Sequence, residues 1–328
     1  VGSAVTIRVA LIGCGAWGSN LLRVLEQGLR AAVVAVADTR PLQRRHARDL
    51  SPGAEVVASL DEALALGVDA VVIATPAHTH AALALAALDQ GADVFVEKPL
   101  AMTIADAERC ALRAEALGRI GMVGHLLRYH PAVTRLVEIG RGGALEPLEH
   151  VEAARRSVNG DRTASALWTL GPHDLSVIHA LDASPFETVS ATGPASGADA
   201  IVDLTMGSGL TARVALSRAH PSKERRFAVI GRDHAAIFDD VRAPDRVLLG
   251  RPTRRRGGAT EIAITGEATV AWHEPLALEV DHFLRCVEER TPPRTGFSDG
   301  VMVVRALARA EGAIHRRDES AGDPLPLA

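Results

Sequence analysis

From Ile7 onward, short β-branched apolar runs alternate with glycine turns and with stretches whose apolar residues recur at helical spacing, and the cycle repeats to about residue 124. The runs predict strands over 7–12, 33–37, 70–74, 94–96 and 120–123. The stretches between them predict helices near 18–27, 41–49, 60–66, 78–90 and 104–117. Strands that are mostly apolar along their length, rather than alternately, belong to a sheet covered by helices on both faces. The order strand, helix, strand therefore predicts an α/β domain over residues 4–124, built on a doubly wound parallel sheet.

The texture changes beyond about residue 145. Strands predicted over 189–192, 200–206, 210–217, 225–230 and 235–238 follow one another with few long helices between them, and consecutive strands of this kind pair antiparallel. Residues 207–209 predict a hairpin turn, and Arg232 with Asp233 another. Helices are expected over 167–181 before these strands and over 276–289 and 299–313 after them. Residues 125–328 thus read as an α+β substrate-binding and oligomerisation domain with an open, mainly antiparallel sheet, the C-terminal segment packing back on the first domain. An open sheet face needs cover, so a homodimer or homotetramer through this sheet is expected.

Charge narrows the functional classes. With 36 Lys and Arg against 40 Asp and Glu, the formal net charge is -4, and no clustered basic surface for nucleic acid is indicated. The one basic run, Arg254 to Arg256 beside Gly257 and Gly258, reads as a solvated loop. Three cysteines without CxxC spacing suggest neither a disulfide framework nor a zinc site and fit a reducing compartment. No apolar run is long enough to span a membrane, and no charged segment, apolar stretch and cleavage site precede the first strand. The expectation is a cytoplasmic protein without membrane or nucleic-acid partners.

The first predicted strand runs into Gly13-Cys14-Gly15-Ala16-Trp17-Gly18. A GxGxxG between strand and helix suits a dinucleotide: Gly13 for the tight turn, Gly15 for close approach of a pyrophosphate, Gly18 for helix–strand packing. Asp38 follows at the end of the second strand, where a carboxylate accepts from the adenosine ribose hydroxyls and favours NAD. Arg40 leaves NADP open, because a guanidinium there suits a 2′-phosphate. The first domain is therefore expected to be a Rossmann domain.

Two further segments fall at strand ends, Ala74-Thr75-Pro76-Ala77-His78-Thr79-His80 and Glu97-Lys98-Pro99, on the sheet edge where ligands of such folds bind. A lysine can stabilise a developing alkoxide, and the bond preceding a proline can be cis. GCGAWG, ATPAHTHAALALAALDQG, VFVEKPLA and GHLLRYHPA, in this order and spacing, resemble the glucose-fructose oxidoreductase, inositol dehydrogenase and rhizopine-catabolism (Gfo/Idh/MocA) oxidoreductases over nearly the whole chain.

The resemblance implies a cofactor set of Gly13, Gly15, Ala16, Trp17, Gly18, Asp38, Thr39, Arg40, Thr75, Pro76, His78, His80, Glu97 and Lys98. It places Lys98 at the reacting oxygen and Glu97 at the nicotinamide-side ribose. The family's second catalytic segment reads DxxxH; this chain has His173 in the histidine position and Thr169 where the aspartate would stand. Four residues on a helix put both on one face, so Thr169 is expected to reach substrate, though it supplies no carboxylate charge. Asp174 reads as a charge near a helix N-terminus. His125, Arg128, Tyr129 and Trp168 complete the substrate set, Arg128 suiting a carboxylate or phosphate. Trp17 and Trp168 wall the site or fill core. His78 and His80, without a third ligand, predict no metal.

These readings converge on an NAD(P)-dependent oxidoreductase moving a hydride between nicotinamide and a secondary alcohol or ketone carbon of a sugar, nucleotide sugar, cyclitol or aminocyclitol. Lys98 stabilises the oxygen and His173 handles the proton. Left open are non-net-redox use of bound NAD (elimination, epimerisation or glycoside cleavage), imine reduction, and a non-catalytic dinucleotide-binding sensor.

Overall fold

The computed structural model describes residues 6–158, 165–194, 196–254 and 260–321. Two compact units emerge, one of residues 1–126 with 274–304, the other of residues 127–273 with 305–328.

In the first unit, strands Ile7–Ile12 (β1), Ala31–Ala37 (β2), Glu55–Val57 (β3), Ala70–Ile73 (β4), Asp93–Glu97 (β5) and Gly121–Gly124 (β6) form one parallel sheet in the order β3-β2-β1-β4-β5-β6. Both wings grow outward from β1, so the carboxyl ends of β1 and β4 flank the switch point where such sheets bind ligands. Helices Ala16–Gln27 (α1), Pro41–Leu50 (α2), Leu60–Leu64 (α3), His80–Asp89 (α4) and Ile104–Ala116 (α5) make the connections. Amphipathic α1 buries Leu21, Leu22 and Leu25 and stops at Gly28, whose N–H bonds the carbonyls of Val24 and Leu25. Strand β3 is only three residues long, and the short apolar run Val56-Val57-Ala58 that marks it lies outside the predicted strands.

The returning chain adds helix Pro275–Glu289 (α8), tied to this unit by Arg30 with Asp281 at 3.0 Å and by Arg290 with Asp93 at 2.5 Å. Phe283 of α8 meets Phe95 of β5 edge-on, ring centroids 5.7 Å apart.

The second unit carries an eight-stranded sheet. Strands Leu148–Arg156 (β7), Phe186–Thr192 (β8), Asp199–Met206 (β9), Thr211–Ser217 (β10), Glu224–Gly231 (β11), Ala235–Asp239 (β12), Ala243–Arg254 (β13) and Thr260–Thr269 (β14) lie in the order β14-β13-β12-β11-β7-β10-β9-β8. Consecutive pairing is antiparallel, but β10 pairs parallel with β7, which inserts at the centre and corrects the expectation of a simple succession. The turn at 207–209 closes β9 and β10, with Gly209 at φ +93, and Gly231 N–H to the His234 carbonyl closes β11 and β12. Helix Pro131–Arg141 (α6) packs on β12 and β13, which bury Phe238 and Val247, and helix Ala166–Leu181 (α7) on β7, β9 and β10, which bury Val151, Val202 and Val214. Helix Phe297–Ala321 (α9) spans the residue boundary between the two units. Arg255 and Arg256 of the basic run, and residues 159–164 before α7, lie outside the described residues.

Candidate cofactor and catalytic site

The glycines after β1 have separable physical reasons. Gly13 sits at φ +93, and a Cβ there would fall 2.8 Å from the Ala74 carbonyl oxygen. At Gly18 a Cβ would lie 1.9 Å from the Gly13 carbonyl oxygen, so only glycine lets α1 start against the turn. Gly15 differs: a Cβ would meet only the Arg40 Nη2 atom, at 3.5 Å. Its missing side chain therefore opens space toward the adjoining cavity instead of relieving a protein contact.

That cavity, about 700 Å³, lies at the switch point and is lined by Gly13, Gly15, Ala16, Trp17, Asp38, Thr39, Arg40, Thr75 and Pro76. Sequence reasoning missed the far wall of Ala58, Ser59 and Leu60, together with Thr79 and Leu83. The wall comes from the chain after β3, the strand outside the predicted set. Helix α1 opens with Gly15 as N-cap, no side-chain cap and no acidic residue in its first turn, leaving N–H groups for an anion at this edge.

Asp38 is buried at the end of β2. Its carboxylate accepts from the Cys14 N–H and the Arg40 N–H, each at 2.9 Å, and from Arg40 Nε at 3.2 Å and Nη2 at 3.3 Å. Burial opposes its charge, but these hydrogen bonds outweigh it and hold the carboxyl below its usual range. Arg44 Nη1 donates to the Asp38 and Thr39 carbonyls at 2.7 and 2.9 Å, fixing the backbone of this corner.

Glu97 closes β5, buried, beside half-buried Lys98 and a cis Lys98–Pro99 bond. Its Oε1 accepts from the Trp17 indole N–H and its Oε2 from the Lys98 N–H at 3.2 Å. On the neighbouring strand a Cβ at Gly124 would come 3.1 Å from Glu97 Oε1, so glycine there makes room for the carboxylate. Burial pushes the Glu97 carboxyl up to about 7, with Trp17 and Lys98 pulling the other way.

His80 is placed differently from expectation. Its imidazole is buried between the Pro99 and Thr75 carbonyls, at 2.7 and 2.9 Å, and burial lowers its basicity. It braces the two cofactor-edge segments and does not line the cavity; neither does His78, at the short 3₁₀ turn Ala77–Thr79. Buried His125 follows β6 in the same unit.

In the second unit, Thr169 and His173 are half-buried one turn apart on α7, among residues otherwise mostly buried. The Thr169 hydroxyl donates to the Ser165 carbonyl at 2.6 Å. Asp174 corrects the sequence reading: it lies mid-helix, fully buried, paired with Arg155 of β7 at 2.7 and 3.2 Å. Arg128 Nη1 donates to the Ser176 carbonyl at 3.1 Å, and Tyr129 is buried. Trp168 is core, its indole N–H donating to Glu311 at 2.8 Å. Among the described residues no cluster of three His, Cys, Asp or Glu side chains forms a metal site, and no helix is long and apolar enough to cross a membrane.

Comparison with known proteins places these features in a family. Residues 7–125 match the oxidoreductase family with an NAD-binding Rossmann fold, GFO_IDH_MocA. A UDP-N-acetylglucosamine 3-dehydrogenase of Acidithiobacillus ferrooxidans is 30% identical over 76% of this chain and 79% of its own length. An inositol 2-dehydrogenase of Acidiphilium cryptum is 41% identical over 47% of this chain and 46% of its own. The structure of GenD2 from gentamicin A biosynthesis in complex with NAD superposes with a TM-score of 0.79 and 26% identity, covering 96% of each chain. The chain belongs to the Gfo/Idh/MocA oxidoreductases.

Proposed function

We propose that this chain is an NAD-dependent dehydrogenase or reductase acting on a secondary alcohol or ketone carbon of a sugar, nucleotide sugar or cyclitol. The observation that carries the cofactor half is Gly15, whose lack of a side chain serves the cavity and not the packing, with Asp38 at its adenosine end. The residues present fit a dinucleotide: the turn and the α1 N-terminus for pyrophosphate, Asp38 for ribose, Trp17 and Glu97 further along. Bound there, the nicotinamide supplies hydride chemistry. Relatives named for a nucleotide sugar and for inositol support the substrate class.

In this reading Lys98 donates a hydrogen bond to the reacting oxygen and stabilises its developing charge. His173 takes or returns the proton, with Thr169 beside it in place of a carboxylate. The first unit serves as the cofactor domain and the second as the substrate domain. The sheet of the second unit, where Ile201 and Ile264 are exposed, is the surface through which copies of a cytoplasmic homo-oligomer meet.

One observation favours a second cofactor. The Arg40 guanidinium lies over Asp38, offsetting the charge that would repel a 2′-phosphate, so NADP is accepted beside NAD. Titrating both cofactors, then screening inositols and UDP-sugars for reduced nicotinamide, tests the whole reading. Binding without turnover of any polyol or ketone would remove the catalytic half.

A further inference from the structure

One buried carboxyl group is not used by the cofactor reading. Glu279, on α8, is fully buried, and neither of its oxygens has a hydrogen-bond partner among the described residues. Helix α8 packs on β5 through Phe283 and Phe95, and one turn before Phe283 the Glu279 carboxyl comes under the electrostatic influence of Glu97. The other polar groups nearby on α8 are engaged elsewhere: Asp281 with Arg30 and Arg285, His282 with the Arg294 N–H and the Cys286 thiol. Lys98 acts on Glu97 as well, through its charge and its backbone N–H.

We propose that Glu279 and Glu97 work as one buried carboxyl pair holding a single proton and a single negative charge, the charge on Glu97 and the proton on Glu279. Donors decide the division. Glu97 receives the Trp17 and Lys98 N–H groups, which stabilise an anion, whereas Glu279 has no donor and is cheaper to keep neutral. Burial raises the Glu279 carboxyl well above the usual range, and the Glu97 charge raises it further. The pair's single negative charge then balances Lys98, so cationic NAD+ and neutral nicotinamide rings are held without strong bias where the cofactor reading puts that ring. Glu279 is a positioning residue in this scheme: it stays neutral beside the Glu97 charge, and because burial is the larger cause of its raised proton affinity it stays neutral when Glu97 cannot ionise. The charge balance with Lys98 rests on the reading of Glu97 and Lys98 as the nicotinamide end.

Infrared spectroscopy of the cofactor-free protein tests the proton directly. The wild type should show the carbonyl band of a protonated carboxylic acid at mildly alkaline pH, where exposed carboxyls are ionised; absence of any such band overturns the proposal without a variant being needed. Glu279→Gln should remove the band, and its survival there overturns the assignment. In Glu97→Gln the band should persist at mildly alkaline pH, because burial still holds the proton on Glu279, and its loss there would contradict burial as the cause. Binding supplies the second readout: at mildly alkaline pH the affinity ratio of NAD+ over NADH should fall on the order of tenfold in Glu97→Gln, which removes the one charge within the site, and keep the wild-type value in Glu279→Gln, which removes a neutral group. An equal fall in Glu279→Gln contradicts the placement of the charge on Glu97. Failure of the wild type to bind either cofactor would sink the dinucleotide reading, while the infrared result would still decide the pair.

Discussion

The Trp17 indole N–H donates to Glu97 Oε1, joining the glycine turn after β1 to the end of β5 across 80 residues of chain. The carboxyl it meets is pushed up to about 7 by burial, against roughly 4.3 in an unfolded chain. Between those values the folded state binds the proton more tightly, so this group's stabilising contribution is full below the lower value and is lost as pH rises through the upper. Glu97→Gln should therefore melt like the wild type in acid and above it at alkaline pH. Trp17→Phe, lacking the donor, should lose stability only on the alkaline side. Melting curves across pH check both.

Lys98→Met should lower kcat by roughly 10²- to 10³-fold, the scale for losing one donor to a developing oxyanion. Steady-state kinetics on the accepted polyol would show the loss in kcat; a loss confined to KM would give Lys98 a binding role only.

His173→Asn should cost about 10²- to 10⁴-fold in kcat if His173 moves the proton. Thr169→Asp restores a carboxylate one turn away, stabilises the imidazolium and should move the corresponding limb of the kcat/KM pH profile upward. An unmoved limb in that variant would detach His173 from the proton.

Asp174→Ala leaves Arg155 buried without its counter-charge, a change that costs about 3–5 kcal/mol where buried pairs are broken on one side. Denaturant unfolding measures it.

Much of the first unit could be read in advance because buried parallel strands are mostly apolar along their length, and β1 spans the predicted 7–12 with only Arg8 exposed. The second unit hid more. Strand β7 reads LEHVEAARR, yet it occupies the sheet centre by turning Val151, Ala153 and Arg155 inward, and the Arg155 charge is acceptable there only because Asp174 meets it. That pairing joins residues 19 apart, and no local pattern encodes it. Strand β13 contains Pro252 and Gly250, both strand-weakening, while exposed β14 has only the short apolar run Ile262-Ala263-Ile264. Helix α6, by contrast, carried a readable signal, Pro131 at its start and buried Val133 and Leu136 at helical spacing, that went unused. At the site, the glycines and Asp38 declared themselves through fixed spacing. His80 did not, since a histidine bracing two carbonyls and one lining a cavity look alike in sequence. Glu279 was invisible for a related reason: an isolated glutamate in an amphipathic helix reads as solvent-facing until the packing of α8 on β5 is known.

Gly15→Ala offers the most direct measurement. Gly15 has φ -75, which alanine adopts freely, and the added methyl would touch no protein atom closer than 3.5 Å. Cofactor-free Gly15→Ala should therefore melt with the wild type while its affinity for NAD and NADP falls by at least about tenfold, roughly 1.4 kcal/mol. Undiminished binding of both cofactors would contradict the placement of the pyrophosphate at this turn, and with it the dehydrogenase built on that placement.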